Sequence, residues 1–202
     1  MFPDLMRDDV FRLETERLWL RWPRASDAVH IAEHASVRAV AENTARIPYP
    51  YPPGAAAEFV LMSRAGNLTG AQIVLVLTTK QRPNEPLGAL GLHQTAEREA
   101  LLGYWLGQPF WGDGLMTEAV CGLLGVAVST TSLGLVKAWV RTGNAASRRV
   151  LEKIGFASDG FGVEPAPARG GSVPVERFLL TRAAWNGCEA GAARDLELSR
   201  AN

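Results

Sequence analysis

The run LLGYWLGQPFWGDGLMTEAVCGLLGV, residues 101–126, leaves few folds open to this chain. Leu101, Leu102, Tyr104, Trp105 and Leu106 have the apolar and aromatic composition of a buried or half-buried strand. Gly107-Gln108-Pro109 turns the chain, and Gly112-Asp113-Gly114 leads directly into Leu115, Ala119, Leu123 and Val126. Those residues recur at steps of three and four, the stripe of a helix running to about Thr130. The order is therefore strand, glycine-rich loop, helix N-terminus. Glycines there let the backbone turn its N–H groups outward and let a ligand approach without a Cβ in the way. The free N–H groups of the first helical turn and the helix dipole favour a diphosphate, to which Thr117 can add a hydroxyl. The same pattern also serves as a bare strand-to-helix connection. A Walker loop is excluded because no lysine is present, and a dinucleotide fingerprint because Thr117 replaces its third glycine and the βαβ context is missing.

Composition narrows the functional classes. Twenty-one basic and twenty-one acidic residues balance in 202, so there is no basic field to hold a nucleic acid or an anionic membrane. That length accommodates one domain, expected over residues 13–185, with an N-terminal extension at 1–12 and a C-terminal tail at 186–202. Cys121 falls in the helix and Cys188 in the tail, so no disulfide framework is expected and Cys121 is expected to be a small core residue. The first residues lack a basic n-region and an apolar h-region, and no apolar run approaches a membrane span, so a cytoplasmic protein is expected. His30 and His34 stand one turn apart, but no carboxylate or cysteine pattern completes a metal site and no metal is expected. A homodimer is allowed.

Leu13 to Trp22 alternates Leu18, Leu20 and Trp22 against Arg17, Trp19 and Arg21, a half-buried first strand stopped by Pro23. Ser26 or Asp27 caps a helical region reaching about Thr44. Ile47-Pro48-Tyr49-Pro50-Tyr51-Pro52-Pro53 is a stiff extended loop presenting two tyrosines. A short helix over Gly54–Ala65 with Gly66 as its cap follows. Gln72–Thr79 is apolar on both faces, as a central strand would be, and with Leu87–Gln94 and Ala100–Leu106 forms an antiparallel meander. A strand at Leu135–Val140 precedes a helix capped by Asn144, with Ser147, Val150, Leu151 and Ile154 on one stripe. Ser147 is the one hydroxyl on a face that otherwise packs, where it can bond a carbonyl one turn back. Strands at Phe156–Val163 and Val173–Thr181 close the chain.

Trp111-Gly112-Asp113-Gly114-Leu115-Met116 resembles motif A of the GNAT N-acetyltransferases, Gln/Arg-x-x-Gly-x-Gly/Ala, although only Gly114 fits its strict form. The departures are those of the RimJ/RimL-like branch, which Gly103-Tyr104-Trp105-Leu106 and Met116-Thr117-Glu118-Ala119 also resemble. Thr15-Glu16-Arg17-Leu18-Trp19-Leu20-Arg21 is similar to that branch's opening strand, and Asn144-x-x-Ser147-x-x-x-Leu151-x-x-x-Gly155-Phe156 to its second helical motif. The resemblance implies an α+β (mixed α/β) GNAT fold, a mostly antiparallel sheet of six to seven strands splayed after the fourth, with about four helices. It implies acetyl transfer from acetyl-CoA to a primary amine by direct attack in a ternary complex. The acceptor would be a protein or peptide N-terminal α-amine or a small amine.

The roles implied by the resemblance follow the motifs. The backbone of Trp111, Gly112, Asp113, Gly114, Leu115, Met116 and Thr117 would hold the pyrophosphate, and Trp105 and Leu106 would pair with the pantetheine arm, with Asn144 reaching it from the other side. The Leu106 N–H would stabilise the oxyanion and Ser147 the leaving thiolate. Tyr49 and Tyr51 would border the acceptor cleft. Relatives often carry a glutamate two residues before Gly-Tyr-Trp, where this chain has Leu101, so His93 or Glu99 would serve as base, or ordered water. An α-amine, with a pKa of about 7.7–8, is already uncharged in roughly one molecule in ten at neutral pH, whereas lysine at about 10.4 is not. Two alternatives share these motifs, a non-catalytic CoA-binding sensor and an acyltransferase using a larger group such as succinyl-CoA.

Overall fold

The computed structural model describes residues 11–185 and 187, so most of the expected tail, with Cys188, and most of the N-terminal extension lie outside the described residues. In chain order the elements are β1 (Arg12–Glu14), β2 (Leu18–Arg21), α1 (Ala28–Ala35), α2 (Arg38–Glu42), α3 (Ala55–Leu68), β3 (Gln72–Thr79), β4 (Gly88–Ala96) and β5 (Glu99–Leu106). They are followed by α4 (Leu115–Thr130), β6 (Leu135–Arg141), α5 (Ala145–Ile154), β7 (Ala157–Ala166) and β8 (Gly171–Thr181). The strands form one sheet in the order β1-β2-β3-β4-β5-β6-β8-β7. Every pairing is antiparallel except β5 with β6.

Among the described residues there are eight strands rather than six or seven, because the segment expected as one strand, Leu13–Trp22, is a hairpin. Thr15 closes its turn, its N–H donating to the Leu18 carbonyl at 3.0 Å and its hydroxyl accepting from the Leu18 N–H at 3.1 Å. The Arg17 N–H donates to the Glu118 carboxylate at 2.7 Å instead of to a neighbouring strand. Among the described residues five α-helices replace the expected four, because the region to Thr44 breaks at Ser36–Val37, where Val37 is extended (φ −72, ψ 122). Arg21, expected on the solvent side of its strand, is 5% exposed and forms a two-pronged ion pair with Asp27, at 2.7 and 2.8 Å. Gly66 lies inside α3 rather than capping it, and the left-handed residue after that helix is Gly70 (φ 68).

The sheet carries helices on both faces. Ile73, Leu75 and Leu77 of β3, Leu90 and Leu92 of β4, and Leu102 and Leu106 of β5 pack with Leu115, Ala119, Leu123 and Leu124 of α4 and Leu151 of α5. The opposite face is covered by Ile31 of α1 and by Ala56 and Val60 of α3, against Val76, Ala89 and the half-buried Trp105. The alternation of period two along β3 to β5 assigns each side chain to one of these layers. Each large aliphatic side chain buried there stabilises the fold by about 1.5–3 kcal/mol. Cys121 is buried as expected but is disulfide-bonded, which corrects the expectation of a simple core thiol.

Candidate active site

The parallel pairing of β5 with β6 runs from Glu99↔Leu135 to Leu102↔Ala138 and then stops. Both strands continue, β5 to Leu106 and β6 to Arg141, where Trp139, Val140 and Arg141 pair only with β8. The result is an open wedge with its vertex at Leu102 and Ala138. Backbone groups alternate sides along β5. The Arg98 carbonyl accepts from Gly134 and Leu135 on the β6 side, while the Gly107 N–H donates to Leu87 beside β4. The same alternation aims the N–H groups of Tyr104 and Leu106 into the wedge. Trp105, expected on that edge, faces β4 instead. Its carbonyl lies so close to Gly88 that a Cβ there would stand 2.3 Å from it. The open edge is thus Tyr104 and Leu106, and the indole N–H of Trp111 donates to the Leu106 carbonyl at 2.7 Å.

At the wide end of the wedge, Gly112 (φ 95) and Gly114 (φ 76) adopt left-handed conformations, which an L-residue enters only at a cost. Nothing lies within 4 Å of where a Cβ on Gly112 would stand. Gly114 is the N-cap of α4, and the first helical bond runs from the Glu118 N–H to the Gly114 carbonyl at 3.0 Å. The N–H groups of Leu115, Met116 and Thr117 therefore have no intrahelical partner. The Leu115 and Met116 side chains are buried in the core, so these two residues offer backbone alone.

Ser147 stands across the wedge on the first turn of α5. Asn144 caps that helix, its Oδ1 accepting from the Ser147 N–H at 3.1 Å, which leaves its Nδ2 group available. The Tyr104 hydroxyl reaches Ser147 directly, 2.8 Å from Oγ, and donates to the Ser147 carbonyl at 3.2 Å. Burial pushes the Tyr104 phenol up to about 12, the Ser147 hydrogen bond partly opposing it. Tyr104 was not among the side chains expected in the site. The signal was its even-numbered position with Leu102 and Leu106, which turns it toward α5.

Strand alternation turns His93 and Glu99 to the other side of the sheet, the face that carries Ala89 and Trp105. His93 sits opposite Leu101 in the register. Its Nδ1 is 2.9 Å from Gln72 Oε1, and Gln72 Nε2 donates to the Ser63 carbonyl at 3.3 Å. That second bond turns the Gln72 Oε1 toward the ring, where it accepts from Nδ1 when the proton is carried there. Burial, with the charge of Arg46 adding to it, holds the His93 pKa below its ordinary value. Glu99 is bound to Lys137 by an ion pair at 2.5 Å and would surrender that pair on accepting a proton. Gly103, exposed between them and the wedge, has nothing within 4 Å of a Cβ position.

The tyrosine loop differs from expectation in one member. Tyr49 is 49% exposed, with the Arg38 guanidinium 5.9 Å from its ring centre, whereas Tyr51 packs half-buried against the Ile31–Val60 cluster and burial raises its pKa. Beside this loop the Glu42 carboxylate binds Arg38 at 2.6 Å and its carbonyl accepts from Arg141 at 2.6 Å. The Arg38 hydrogen bond, then the charges of Arg38, Arg141 and Arg169, lower the Glu42 pKa. His34 packs edge-on against Phe110, with ring centres 5.3 Å apart, and His30 faces Glu33 at 3.8 Å.

Residues 17–157 match the Acetyltransferase (GNAT) domain family. Among curated proteins the chain is similar to the uncharacterized N-acetyltransferase p20 of Bacillus licheniformis, 26% identical over 177 residues, covering 87% of this chain and 98% of that protein. It is 30% identical over 102 residues to YdaF of Bacillus subtilis (strain 168), half of this chain and 56% of YdaF. Among solved structures, the RimL ribosomal L7/L12 α-N-protein acetyltransferase in complex with coenzyme A superposes with a TM-score of 0.73 at 17% identity, covering 85% of this chain and 98% of that one. Mycobacterium smegmatis RimJ in complex with CoA-disulfide gives 0.72 at 21% identity, covering 87% and 88%. No helix among the described residues is long and apolar enough to cross a membrane.

Proposed function

This chain belongs to the acetyltransferase (GNAT) domain family, and on that premise we propose that the β5–β6 wedge binds acetyl-CoA and presents its thioester to a primary amine. The observation that carries the reading is the continuity of unpartnered backbone donors, Leu115 to Thr117 at the helix start and Leu106 and Tyr104 along the open edge. These donors suit a diphosphate at one end and an extended amide-bearing arm along the other. When bound, acetyl-CoA supplies an electrophilic carbonyl and a thiolate leaving group. The N–H groups of Tyr104 and Leu106 are the donors available to charge building on the carbonyl oxygen.

Ser147 acts as a hydrogen-bond donor to the leaving thiolate, and Tyr104 orients that serine rather than supplying a proton itself. A phenol with a pKa of about 12 lies about 3.5 pH units above a thiol at about 8.5, so handing over its proton costs about 4.8 kcal/mol. A hydrogen bond to the developing thiolate contributes about 1.5–3 kcal/mol without that cost. His93 is the base this reading favours over Glu99, because Gln72 Oε1 stands against its Nδ1 and burial keeps it neutral at pH 7.

The acceptor is a protein or peptide N-terminal α-amine or a small amine that bears an acidic group nearby. The charges of Arg38, Arg141 and Arg169 all act on the Glu42 carboxylate and that of Arg46 on His93, so several cations gather along this rim in a chain of net charge zero. The test is a thioester-consumption assay with acetyl-CoA and succinyl-CoA against a panel of small amines and peptides, with products identified by mass spectrometry. Acetylated α-amines are expected. Acetyl-CoA binding without turnover of any amine identifies a sensor, and preference for succinyl-CoA identifies the larger acyl donor.

A further inference from the structure

Two motif elements remain outside the wedge, the Thr15-x-Arg17 turn between β1 and β2 and Glu118 in the first turn of α4. They are joined to each other and to the glycine loop. Glu118, 5% exposed, accepts from the Thr15 hydroxyl at 2.5 Å and the Arg17 N–H at 2.7 Å on one oxygen, and from Arg17 Nε at 2.6 Å on the other. Arg17 Nη1 donates to the Asp113 carbonyl, between the two glycines, at 2.9 Å. Its third nitrogen, Nη2, has no hydrogen-bond partner among the described residues and stands 3.7 Å from the position a Cβ on Gly114 would take. The Arg17 side chain is 46% exposed, so this nitrogen is reachable from solvent beside the free N–H groups of α4.

We infer that Arg17 is a diphosphate-binding residue of the acetyl-CoA site, with Glu118 and Thr15 as the residues that position it. The inference rests on the acetyl-CoA reading of the wedge. A surface arginine loses much side-chain entropy when it binds an anion. Here two of the three guanidinium nitrogens are already anchored, to a carboxylate and to a loop carbonyl, so the fork is set before the ligand arrives. The Asp113 anchor also ties the loop between Gly112 and Gly114 to the β1–β2 turn, holding the left-handed backbone that exposes the N–H groups. Glu118 stays ionised in this role. Burial alone would raise its pKa, but the hydrogen bonds from Thr15 and from the Arg17 backbone and guanidinium, with the Arg17 charge, bring it below the ordinary value.

The test titrates the full chain and its Arg17→Gln, Arg17→Lys, Glu118→Gln and Arg17→Gln/Glu118→Gln variants with acetyl-CoA and with S-acetylpantetheine, which has the thioester and the arm but no diphosphate. Thermal unfolding of each variant reports whether it is folded. Arg17→Gln is expected to lose at least tenfold in acetyl-CoA affinity while S-acetylpantetheine binding changes less than twofold. Arg17→Lys keeps the charge without the fork and should fall between. Glu118→Gln should weaken acetyl-CoA binding, and the double variant should be no weaker than Arg17→Gln alone. Unchanged acetyl-CoA affinity in folded Arg17→Gln and Arg17→Lys overturns the inference, as does an equal loss for both ligands. If the unaltered chain binds no acetyl-CoA, the reading of the wedge itself has failed, an outcome distinct from a ligand that binds without regard to Arg17.

Discussion

Ser147→Ala removes a hydroxyl that the fold holds in one place from two sides, by the Tyr104 phenol 2.8 Å from Oγ and by the Asn144 cap that orders the turn carrying it. If that hydroxyl bonds the thiolate as it forms, the loss is a hydrogen bond to a charged group, about 1.5–3 kcal/mol. The expected fall in kcat is about 10–150-fold. Affinity for acetyl-CoA should change less than twofold, because the charge is absent in the ground state. Tyr104→Phe removes the group that orients Ser147, a neutral bond of about 0.5–1.5 kcal/mol, and should lower kcat about 2–13-fold. The double variant should be no slower than Ser147→Ala alone, since Tyr104 acts through the serine. Single-turnover thioester cleavage at saturating amine is the assay, with acetyl-CoA titration beside it. With a phenol at about 12, no ionisation of Tyr104 should appear in kcat between about pH 6 and 10. An unchanged kcat in Ser147→Ala, an effect confined to KM, or additive losses in the double variant would refute this reasoning.

Four further outcomes follow from the same geometry. Gly114→Ala meets only Arg17 Nη2 at 3.7 Å, so its penalty is the left-handed backbone at φ 76, about 1–2 kcal/mol, read as a lowered Tm. Glu118→Gln should cost about 2 kcal/mol at neutral pH. Because the folded Glu118 pKa lies below its ordinary 4.5, this stability is present above about pH 4.5 and is lost as pH falls through the folded value. The Tm gap between the two proteins should therefore close in acid, and a gap that widens there contradicts the assignment. The limb of kcat/KM that requires neutral His93 should lie below pH 6.5, and Gln72→Glu, which sets a carboxylate against Nδ1, should move it upward. A limb unmoved by Gln72→Glu and unchanged in His93→Ala removes His93 as base. A peptide with an acidic second residue should exceed its basic counterpart in kcat/KM by about fivefold at low salt, and equal rates contradict the cationic rim.

Much of the fold was legible because local pattern and packing agree where the chain is most apolar. Gln72–Thr79, buried along six consecutive residues, reads as a central strand and is one, and α4 runs over the expected residues to Thr130. The misreadings occur where a distant side chain decides local structure. Leu13–Trp22 alternates like one strand, but Glu118, 101 residues from Arg17, takes the Arg17 N–H and stabilises a hairpin turn. Arg21 looked solvent-facing because Asp27, its buried partner, lies beyond Pro23. In the candidate site, glycine spacing and the Asn144–Ser147 step identified the two helix starts. The backbone edge was misplaced by one residue, Trp105 for Tyr104, because only the β4 register fixes which amides face the wedge. Gln72 could not be chosen from sequence, since its role depends on standing 2.9 Å from a histidine 21 residues away.

The central claim is that acetyl-CoA lies along the free edge of β5, and residue-resolved amide hydrogen exchange with and without coenzyme A tests it most directly. The account predicts added protection at Tyr104 and Leu106 on the edge and at Leu115, Met116 and Thr117 at the α4 start. It predicts no change at Trp105, whose amide already faces β4. Protection at Trp105 without Tyr104 and Leu106, or binding of coenzyme A that leaves all five amides exchanging as before, would contradict it.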